Sequence, residues 1–384
     1  MGGLKLDFLL TGTNGEKEHS KQRSDCVILP TKGQMLMKSM VLTGIRQMEM
    51  IEIPEPALER GNEVLLRLES VGVCGSDVHY YETGRIGSQV VQYPFRVGHE
   101  CAAVVEAVGP AVTRVRPGDR VAVDPAMSCW QCDQCRAGRP HTCRKLRFLG
   151  CPGQSEGCLA EKIVMPEESC FLLAPNMTFE RGALSEPLTI GYYAVKQSIP
   201  MNGARVGILG AGPIGLSVLL CARAKGASAV YMTDKIPERV EMARRAGATW
   251  AENPEKTDIV EEIKTRDPLL LDAVFECAGQ QETVNQAFEL LKPGGKLMLI
   301  GIPREDRLSF SIDLGRRKEI CIQNVRRQNE CVQATLDAMA DGRLDADFMV
   351  THRFPFERTR EAFDLVADYR DGVVKAMIHF GDAQ

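Results

Sequence analysis

Hydrophobic residues in the first half of the chain fall in short runs that glycine and proline interrupt. Four such runs are EVLLRLESVGV (63–73), CAAVVEAVG (101–109), DRVAVDP (119–125) and LAEKIVMP (159–166). Short β-type runs separated by turn residues predict an antiparallel, barrel-like all-β domain. We place this domain at residues 37–186. Residues 1–36 are polar and without periodicity, so we predict a disordered N-terminal extension there.

The pattern changes after residue 186 to an alternation of strands and helices. RVGILG (205–210) and AVYMTD (229–234) have the character of strands, and an amphipathic helical pattern follows each of them. Further strand-like runs are LDAVFECAG (271–279) and GKLMLIGIP (295–303). Such alternation predicts a doubly wound parallel sheet, an α/β fold, over residues 187–324.

Composition agrees with two domains and excludes several classes of partner. The chain has 384 residues and a formal net charge of −4, which gives no electrostatic case for nucleic acid or an anionic membrane as partner. It has no apolar run near the roughly 20 residues of a membrane span, and its N-terminal segment is a poor signal peptide. With 14 cysteines and no secretion signal, we expect a cytoplasmic protein without disulfides.

Four cysteines lie close together in SCWQCDQCRAGRPHTC (128–143), with the spacing C-x2-C-x2-C-x7-C. They are Cys129, Cys132, Cys135 and Cys143. In a reducing compartment this spacing favours a tetrahedral thiolate site for zinc. An iron–sulfur cluster and a set of buried free thiols are the alternatives. Because four sulfurs leave no open position for substrate, a zinc ion in this lobe (128–144) would be structural.

A second motif, GAGPIG, follows the strand at 205–210 and opens a helix. Its three glycines are Gly210, Gly212 and Gly215. Asp234 ends the next strand, nineteen residues after the last glycine. This context predicts a dinucleotide site in which Asp234 binds the ribose hydroxyls of NAD and repels a 2′-phosphate. Lys235 and Arg239 are basic groups that would tolerate NADP, so both cofactors stay open from the motif, with NAD favoured.

A third set of residues lies in the β domain. Cys74, His99 and Glu100 offer a thiolate, an imidazole and a carboxylate, and three protein ligands with one open position are typical of catalytic zinc. Their separation along the chain is long, and a lone histidine or glutamate is more often a packed or surface residue. The pattern alone therefore does not establish that the three side chains converge.

The order of these motifs resembles a known family. GVCGSDVHYYETGRIG, VGHE, PGDRVAVDP, the four-cysteine lobe, GALSEPL, GAGPIG and VTHRFPFE follow one another between residues 71 and 357. The chain resembles the zinc-containing medium-chain alcohol dehydrogenase superfamily, most of all its polyol branch of sorbitol, xylitol and L-arabinitol dehydrogenases. The resemblance implies a GroES-like catalytic domain, an inserted Rossmann domain, and a C-terminal segment (325–384) that completes the catalytic domain.

The resemblance also implies roles for individual residues and two zinc ions per chain. Cys74, His99 and Glu100 would hold the catalytic zinc, and Glu186 would bind it directly or through water. Ser76 would relay the proton, while Tyr80 and Arg327 would line the substrate site. The implied NAD contacts are Ile214, Asp234 and Arg239. A homo-oligomer, a tetramer or a dimer, is implied as well.

One departure concerns the substrate. Where animal sorbitol dehydrogenases have Phe-Arg-Tyr, this chain has Arg326, Arg327 and Gln328, so an aromatic wall is replaced by polar and basic groups. We expect oxidation of a secondary alcohol of a polyol to the ketose, with a sugar acid or polyol phosphate as a variant. L-Threonine or 2,3-butanediol dehydrogenase is the alternative within the superfamily, and a non-catalytic zinc-binding structural protein is the alternative outside it.

Overall fold

The computed structural model describes residues 35–305 and 307–381. The predicted N-terminal extension lies outside these residues, apart from its last two positions. Leu36, the last residue of the predicted extension, is the first residue of strand β1.

The N-terminal region contains eleven strands among the described residues. They are β1 (Leu36–Gly44), β2 (Gln47–Pro54), β3 (Glu63–Gly72), β4 (Arg85–Ile86), β5 (Gln89–Val90), β6 (Glu100–Val108), β7 (Arg120–Val123), β8 (Ala126–Met127), β9 (Arg147–Phe148), β10 (Lys162–Pro166) and β11 (Cys170–Leu172). Two short helices interrupt them, α1 (Gly75–Thr83) and α2 (Asp133–Arg136). Single 3-10 turns lie here and in the C-terminal part, at Pro140–Thr142, Glu167–Ser169, Asp347–Met349, Phe356–Arg358 and Arg370–Gly372.

The main sheet of this region is completed by the end of the chain. Its strand order is β11-β7-β6-β3-β19-β18, with β10 also paired to β3. The last two strands are β18 (Val350–Pro355) and β19 (Lys375–His379). All neighbours are antiparallel except β18 and β19. Residues more than 200 positions apart along the chain thus meet in one sheet, and the C-terminal segment supplies two strands of the catalytic domain.

The inserted region forms a six-stranded parallel sheet with the order β14-β13-β12-β15-β16-β17. The strands are β12 (Arg205–Leu209), β13 (Ala229–Thr233), β14 (Trp250–Glu252), β15 (Leu271–Glu276), β16 (Leu291–Leu299) and β17 (Cys321–Asn324). The helices between them are α4 (Pro213–Ala224), α5 (Pro237–Arg245), α6 (Ile259–Arg266), α7 (Gln281–Leu290) and α8 (Ile312–Arg317). This order reverses between β12 and β15, and ligands of doubly wound sheets bind at such a switch point. The predicted Rossmann fold is confirmed.

One long helix, α3 (Phe179–Gln197), joins the two domains. Its N-cap is Thr178, whose side chain accepts a hydrogen bond from the Arg181 amide at 3.2 Å. The expected domain boundary at 186/187 lies inside this helix. Leu184 and Leu188 are buried in the same apolar cluster as the residues of α4 and β12. The chain therefore passes between domains within a packed helix rather than through a loop.

Two further helices follow the parallel sheet, α9 (Val332–Ala340) and α10 (Thr359–Ala367). The cluster that contains α3 also includes Leu336 of α9, Ala102 of β6 and Met377 of β19. A separate cluster covers the other face of the parallel sheet. A continuous apolar core thus connects the two domains. Among residues 35–305 and 307–381, no helix is long and apolar enough to cross a membrane.

Candidate active site and metal centres

The structure brings Cys74, His99 and Glu100 together. Cys74 precedes α1, His99 precedes β6, and Glu100 is the first residue of β6. Because Gly72 and Glu100 are partners in the β3–β6 pairing, the segment after β3 lies beside the start of β6. One ligand atom from each of the three residues lies within 4.8 Å of the other two. A thiolate, an imidazole and a carboxylate at this spacing fit a zinc ion that keeps one position open for substrate.

Asp77 orients the imidazole of this cluster. Its Oδ1 lies 3.2 Å from His99 Nδ1 and accepts the Gly98 amide, also at 3.2 Å. Both side chains are buried. Pairing at Nδ1 leaves Nε2 for a metal, the arrangement that histidine ligands commonly use. Asp77 was not among the predicted site residues, although its place three residues after Cys74, in the first turn of α1, was a usable signal.

Lys375 pairs with the carboxylate of the cluster. Its Nζ lies 2.8 Å and 2.6 Å from the two oxygens of Glu100 and donates to the Val73 carbonyl at 3.0 Å. Both side chains of the pair are only 1% exposed. The ammonium reaches across the end of β3 at Gly72, where any side chain would collide with Glu100. A carboxylate has lone pairs for several partners, so this pairing is compatible with a metal bound to Glu100.

The four-cysteine lobe has the geometry of a single tetrahedral metal site. Its Sγ–Sγ distances include 3.4 Å between Cys129 and Cys143, 3.6 Å between Cys132 and Cys135, and 3.8 Å between Cys132 and Cys143. Four sulfurs about 2.3 Å from one zinc would be about 3.8 Å apart, whereas disulfide sulfurs are about 2.05 Å apart. The cage has room for one ion rather than for a multi-iron cluster. These donors fit a closed structural zinc site.

Phe148 forms a platform between the cluster and Arg327. The centroid of the Phe148 ring lies 5.3 Å from the centroid of the His99 ring. The guanidinium of Arg327 stacks over the Phe148 ring, with its central carbon 3.6 Å from the ring centroid. The Nη1 atom of Arg327 is buried without a hydrogen-bond partner among the described residues. Burial lowers the pKa of this guanidinium to about 10. A buried donor that lacks a protein partner beside a metal site is suited to a bound ligand.

Tyr80 has a hydrogen-bond partner within the protein, whereas Glu186 lies outside the group of three metal-ligand candidates. The Tyr80 hydroxyl donates to Gln89 Oε1 at 3.0 Å. Glu186, on α3, is partly buried, and burial raises the pKa of its carboxyl to about 7. Its oxygens do not lie within 4.8 Å of all three donor atoms of the cluster. Ser76 is placed as expected beside the cluster, with its Oγ donating to Cys74 Sγ at 3.3 Å.

Gln328 corrects the expectation of a polar substrate wall. Its Nε2 donates to Asp124 Oδ2 at 2.7 Å and its Oε1 accepts the Cys331 amide at 3.0 Å. Asn329 Nδ2 similarly donates to the Gly138 carbonyl at 2.9 Å. Both ends of the Gln328 amide are therefore used to fix the 325–331 loop to the catalytic domain. It holds Arg327 in place rather than offering free groups to a substrate.

The glycine turn has the backbone geometry that a dinucleotide site requires. Gly210 has φ +106°, a left-handed conformation, and a Cβ at Gly215 would collide with the Gly210 carbonyl oxygen. Helix α4 begins directly after Gly212 and carries Ile214 in its first turn. The carboxylate of Asp234 is fixed by the Ala211 amide at 2.7 Å and by the Ile236 amide at 2.9 Å. The helix terminus and this carboxylate lie at the switch point of the sheet.

Both basic residues near Asp234 contact other groups of the protein. Lys235 Nζ lies 3.4 Å from Glu255 and 3.7 Å from Glu282. Arg239 is buried, and its Nη2 donates to the Val373 carbonyl at 2.7 Å. A Cβ at Gly212 would lie 3.6 Å from Arg239 Nη1, so this guanidinium borders the glycine turn.

A metal centre with an open position, in one chain with a dinucleotide turn, defines a metal-dependent dehydrogenase. Family models agree: the alcohol dehydrogenase GroES-like domain matches residues 60–175, and the zinc-binding dehydrogenase domain matches residues 213–341. The chain belongs to the zinc-containing medium-chain alcohol dehydrogenase superfamily and, within it, to the polyol branch. It is an oxidoreductase.

Individual relatives place it in that branch. Sorbitol dehydrogenase of Bacillus subtilis is 33% identical over 344 residues, which cover 89% of this chain and 97% of that protein. L-Idonate 5-dehydrogenase of Vitis vinifera is 34% identical over 312 residues, 79% of this chain and 85% of that one. An Escherichia coli oxidoreductase of unknown specificity has a similar solved structure, with a TM-score of 0.86, 32% identity, and coverage of 91% and 100%. The first two relatives are named for different substrates, sorbitol and L-idonate.

Proposed function

We propose that this enzyme oxidises a secondary alcohol of a sugar alcohol, of the sorbitol, xylitol or arabinitol class, to the ketose with NAD as hydride acceptor. The observation that carries the proposal is the convergence of Cys74, His99 and Glu100 within 4.8 Å, beside the buried donor of Arg327. The named relatives that act on sorbitol support the substrate class.

Each residue of the centre has a task that follows from its contacts. A zinc ion held by Cys74, His99 and Glu100 would supply Lewis acidity that lowers the pKa of the alcohol, and NAD would supply the hydride acceptor. Asp77 fixes the imidazole through Nδ1. Ser76, with its hydroxyl 3.3 Å from the Cys74 sulfur, is placed to take the substrate proton. The four-cysteine lobe would hold the second, structural zinc.

The preference for NAD rests on the charges around Asp234. Two backbone amides orient its carboxylate, and a 2′-phosphate would meet that negative charge. Lys235 lies near two glutamates and Arg239 donates to the Val373 carbonyl, so these contacts offset part of the attraction of both side chains for the phosphate. This arrangement favours NAD over NADP.

Two alternatives are weaker. The tyrosine pair Tyr80–Tyr81, followed by GRIG, is typical of the polyol branch and argues against a threonine or 2,3-butanediol dehydrogenase. A non-catalytic zinc protein would not need the complete ligand set together with an intact glycine turn.

The test is a steady-state assay of NADH formation. Sorbitol, xylitol, arabinitol, threonine, 2,3-butanediol and ethanol are compared as substrates. We expect a sugar alcohol to have the highest kcat/KM and ethanol to lie near background, because sites built for polar groups discriminate by a factor of about 10⁴ against substrates that leave those groups unpaired. Higher kcat/KM for ethanol or butanediol than for every sugar alcohol would overturn the proposal.

A further inference from the structure

Arg326 and Arg327 are adjacent arginines in the 325–331 loop, and neither has a carboxylate within ion-pair distance among the described residues. Neither Arg326 nor Arg327 forms an ion pair or donates a hydrogen bond to another residue of the described chain, whereas Arg205 and Arg353, for example, each pair with an acid. Arg326 is exposed and Arg327 is partly buried. Two adjacent guanidinium groups therefore remain without an ion pair, with the carboxylates of Glu186 and Asp124 as nearby negative charges.

Arg327 is held firmly although it lacks a polar partner. Its backbone lies in the left-handed region, with φ +54°, which a non-glycine residue adopts only when its surroundings fix it. The neighbouring side chains do so: Gln328 is bound to Asp124 and Asn329 to Gly138. The guanidinium is stacked on Phe148, and Nη1 stays without an acceptor.

Several acceptors around Arg327 already receive hydrogen bonds from protein donors. A guanidinium has five N–H donors and no acceptor. The amide of Gln328 and the Gln89 oxygen are already used, the latter by the Tyr80 hydroxyl. Asp124 accepts from Gln328 and from the Ala126 amide. A ligand group that only accepts hydrogen bonds, such as a carboxylate or phosphate, fits this surface better than a hydroxyl, which also donates.

Arg139 of the four-cysteine lobe adds a third charge. The bond between Asn329 and the Gly138 carbonyl places the lobe against the 325–331 loop. Arg139 directly follows Gly138, so its charge belongs to the part of the lobe that contacts this loop. Arg139 is exposed, and it also forms no ion pair within the part of the chain that the structure describes.

We propose that the substrate is an anionic polyol derivative, with a carboxylate or a phosphate at the end remote from the oxidised carbon. The anion would bind Arg327 Nη1, and Arg326 would determine the preference for it, with Arg139 adding to the positive field. This inference rests on the proposed polyol oxidation and narrows its substrate class. Arginine suits this task because its planar fork binds both anions with two parallel hydrogen bonds.

The experiment compares neutral sugar alcohols with their charged counterparts. Sorbitol, xylitol and arabinitol are assayed beside their terminal phosphates and the corresponding aldonates, at low and at raised salt. We expect at least one charged compound to exceed its neutral parent at least tenfold in kcat/KM. That advantage should shrink as salt screens the attraction. The phosphate and aldonate arms tell the two anions apart.

Substitutions then test whether Arg326 causes the preference for the charged compound. Arg326→Gln should lower kcat/KM for the charged compound about tenfold more than for its neutral parent, the usual order for the loss of one charge-assisted interaction. Arg116→Gln is the matched control, because Arg116 is 88% exposed and follows β6 at the end opposite Glu100. An equal effect of both variants, or no charged compound better than its parent, overturns the inference.

A binding measurement keeps this inference separate from the proposed function. Calorimetry with the NADH complex compares sorbitol 6-phosphate, gluconate and sorbitol. Tighter binding of an anion that Arg326→Gln abolishes supports the inference even if no compound is oxidised, and absent turnover would then count against polyol oxidation alone. Equal affinity for all three ligands contradicts the anion site, whatever the enzyme oxidises.

Discussion

Lys375→Met should destabilise the protein far more than an equivalent change at the surface. Lys375 and Glu100 are buried together, each 1% exposed, and the ammonium donates to both carboxylate oxygens. Methionine keeps much of the side-chain volume but leaves the carboxylate buried without its partner. Removing one member of a buried ion pair costs about 3–5 kcal/mol, so we expect a loss of that size in the free energy of unfolding of the metal-free protein.

Lys162→Met provides the matched control. Lys162 also contacts two carboxylates, with Nζ 2.8 Å from Glu106 and 3.0 Å from Glu55. Its side chain is 15% exposed, and those carboxylates are 38% and 20% exposed. Since water screens such pairs, their loss costs about 0–1 kcal/mol. Urea unfolding, followed by circular dichroism, measures both variants under the same conditions.

Two further measurements test whether the unpaired charge of Glu100 causes the loss of stability in Lys375→Met. Zinc should reduce the loss in Lys375→Met, because a dication beside Glu100 replaces the missing positive charge. Adding Glu100→Gln to Lys375→Met should recover most of the stability, because the double variant buries no unpaired charge. Equal losses for Lys375→Met and Lys162→Met, or no recovery in the double variant, would refute the reasoning.

The other predictions concern the lobe, the cofactor and pH. Cys132→Ser should lower the zinc content, measured by elemental analysis, from two ions per chain to one, and should reduce the thermal midpoint before it affects kcat. Asp234→Ser should narrow the ratio of kcat/KM for NAD over NADP about tenfold or more without changing polyol selectivity; an unchanged ratio would contradict the role of the carboxylate. Hydrogen bonds from His379 and Arg353 lower the pKa of Glu180 to about 2 from an ordinary 4.5. Ionised Glu180 therefore contributes stability on the order of 1–3 kcal/mol, which is present above pH 4.5 and lost as the pH falls towards 2. Glu180→Gln should flatten that part of the curve of unfolding free energy against pH, measured by urea unfolding.

Local sequence patterns were sufficient to predict the features whose residues lie close together along the chain. The glycine turn, its following helix and Asp234 all lie in one βαβ unit, so spacing alone predicted their arrangement. The four cysteines lie within fifteen positions and needed no knowledge of the fold. The alternation of strands and helices likewise predicted the parallel sheet, because that pattern is set by each segment's own periodicity.

Long-range partners were not predictable in this way. Lys375 reaches Glu100, 275 positions away, only because β19 and β6 lie on opposite sides of β3. Phe148 became a platform for Arg327 through the packing of two separate segments. Gln328 was misinterpreted because its residue type allows contact with a substrate, while its hydrogen bonds fix a loop. Pairings of this kind depend on strand order and loop placement, which periodicity does not specify.

Direct transfer of hydride from a secondary carbon of the polyol to NAD is the reaction that the site is proposed to carry out. Its most direct test uses the best substrate of the panel, deuterated either at the secondary carbinol carbon or at the primary one, with the NADH formed analysed by mass spectrometry. We predict that deuterium appears in NADH only from the secondary position, and that Cys74→Ser abolishes the transfer while the protein stays folded. Deuterium from the primary position, or full transfer in Cys74→Ser, would contradict the account.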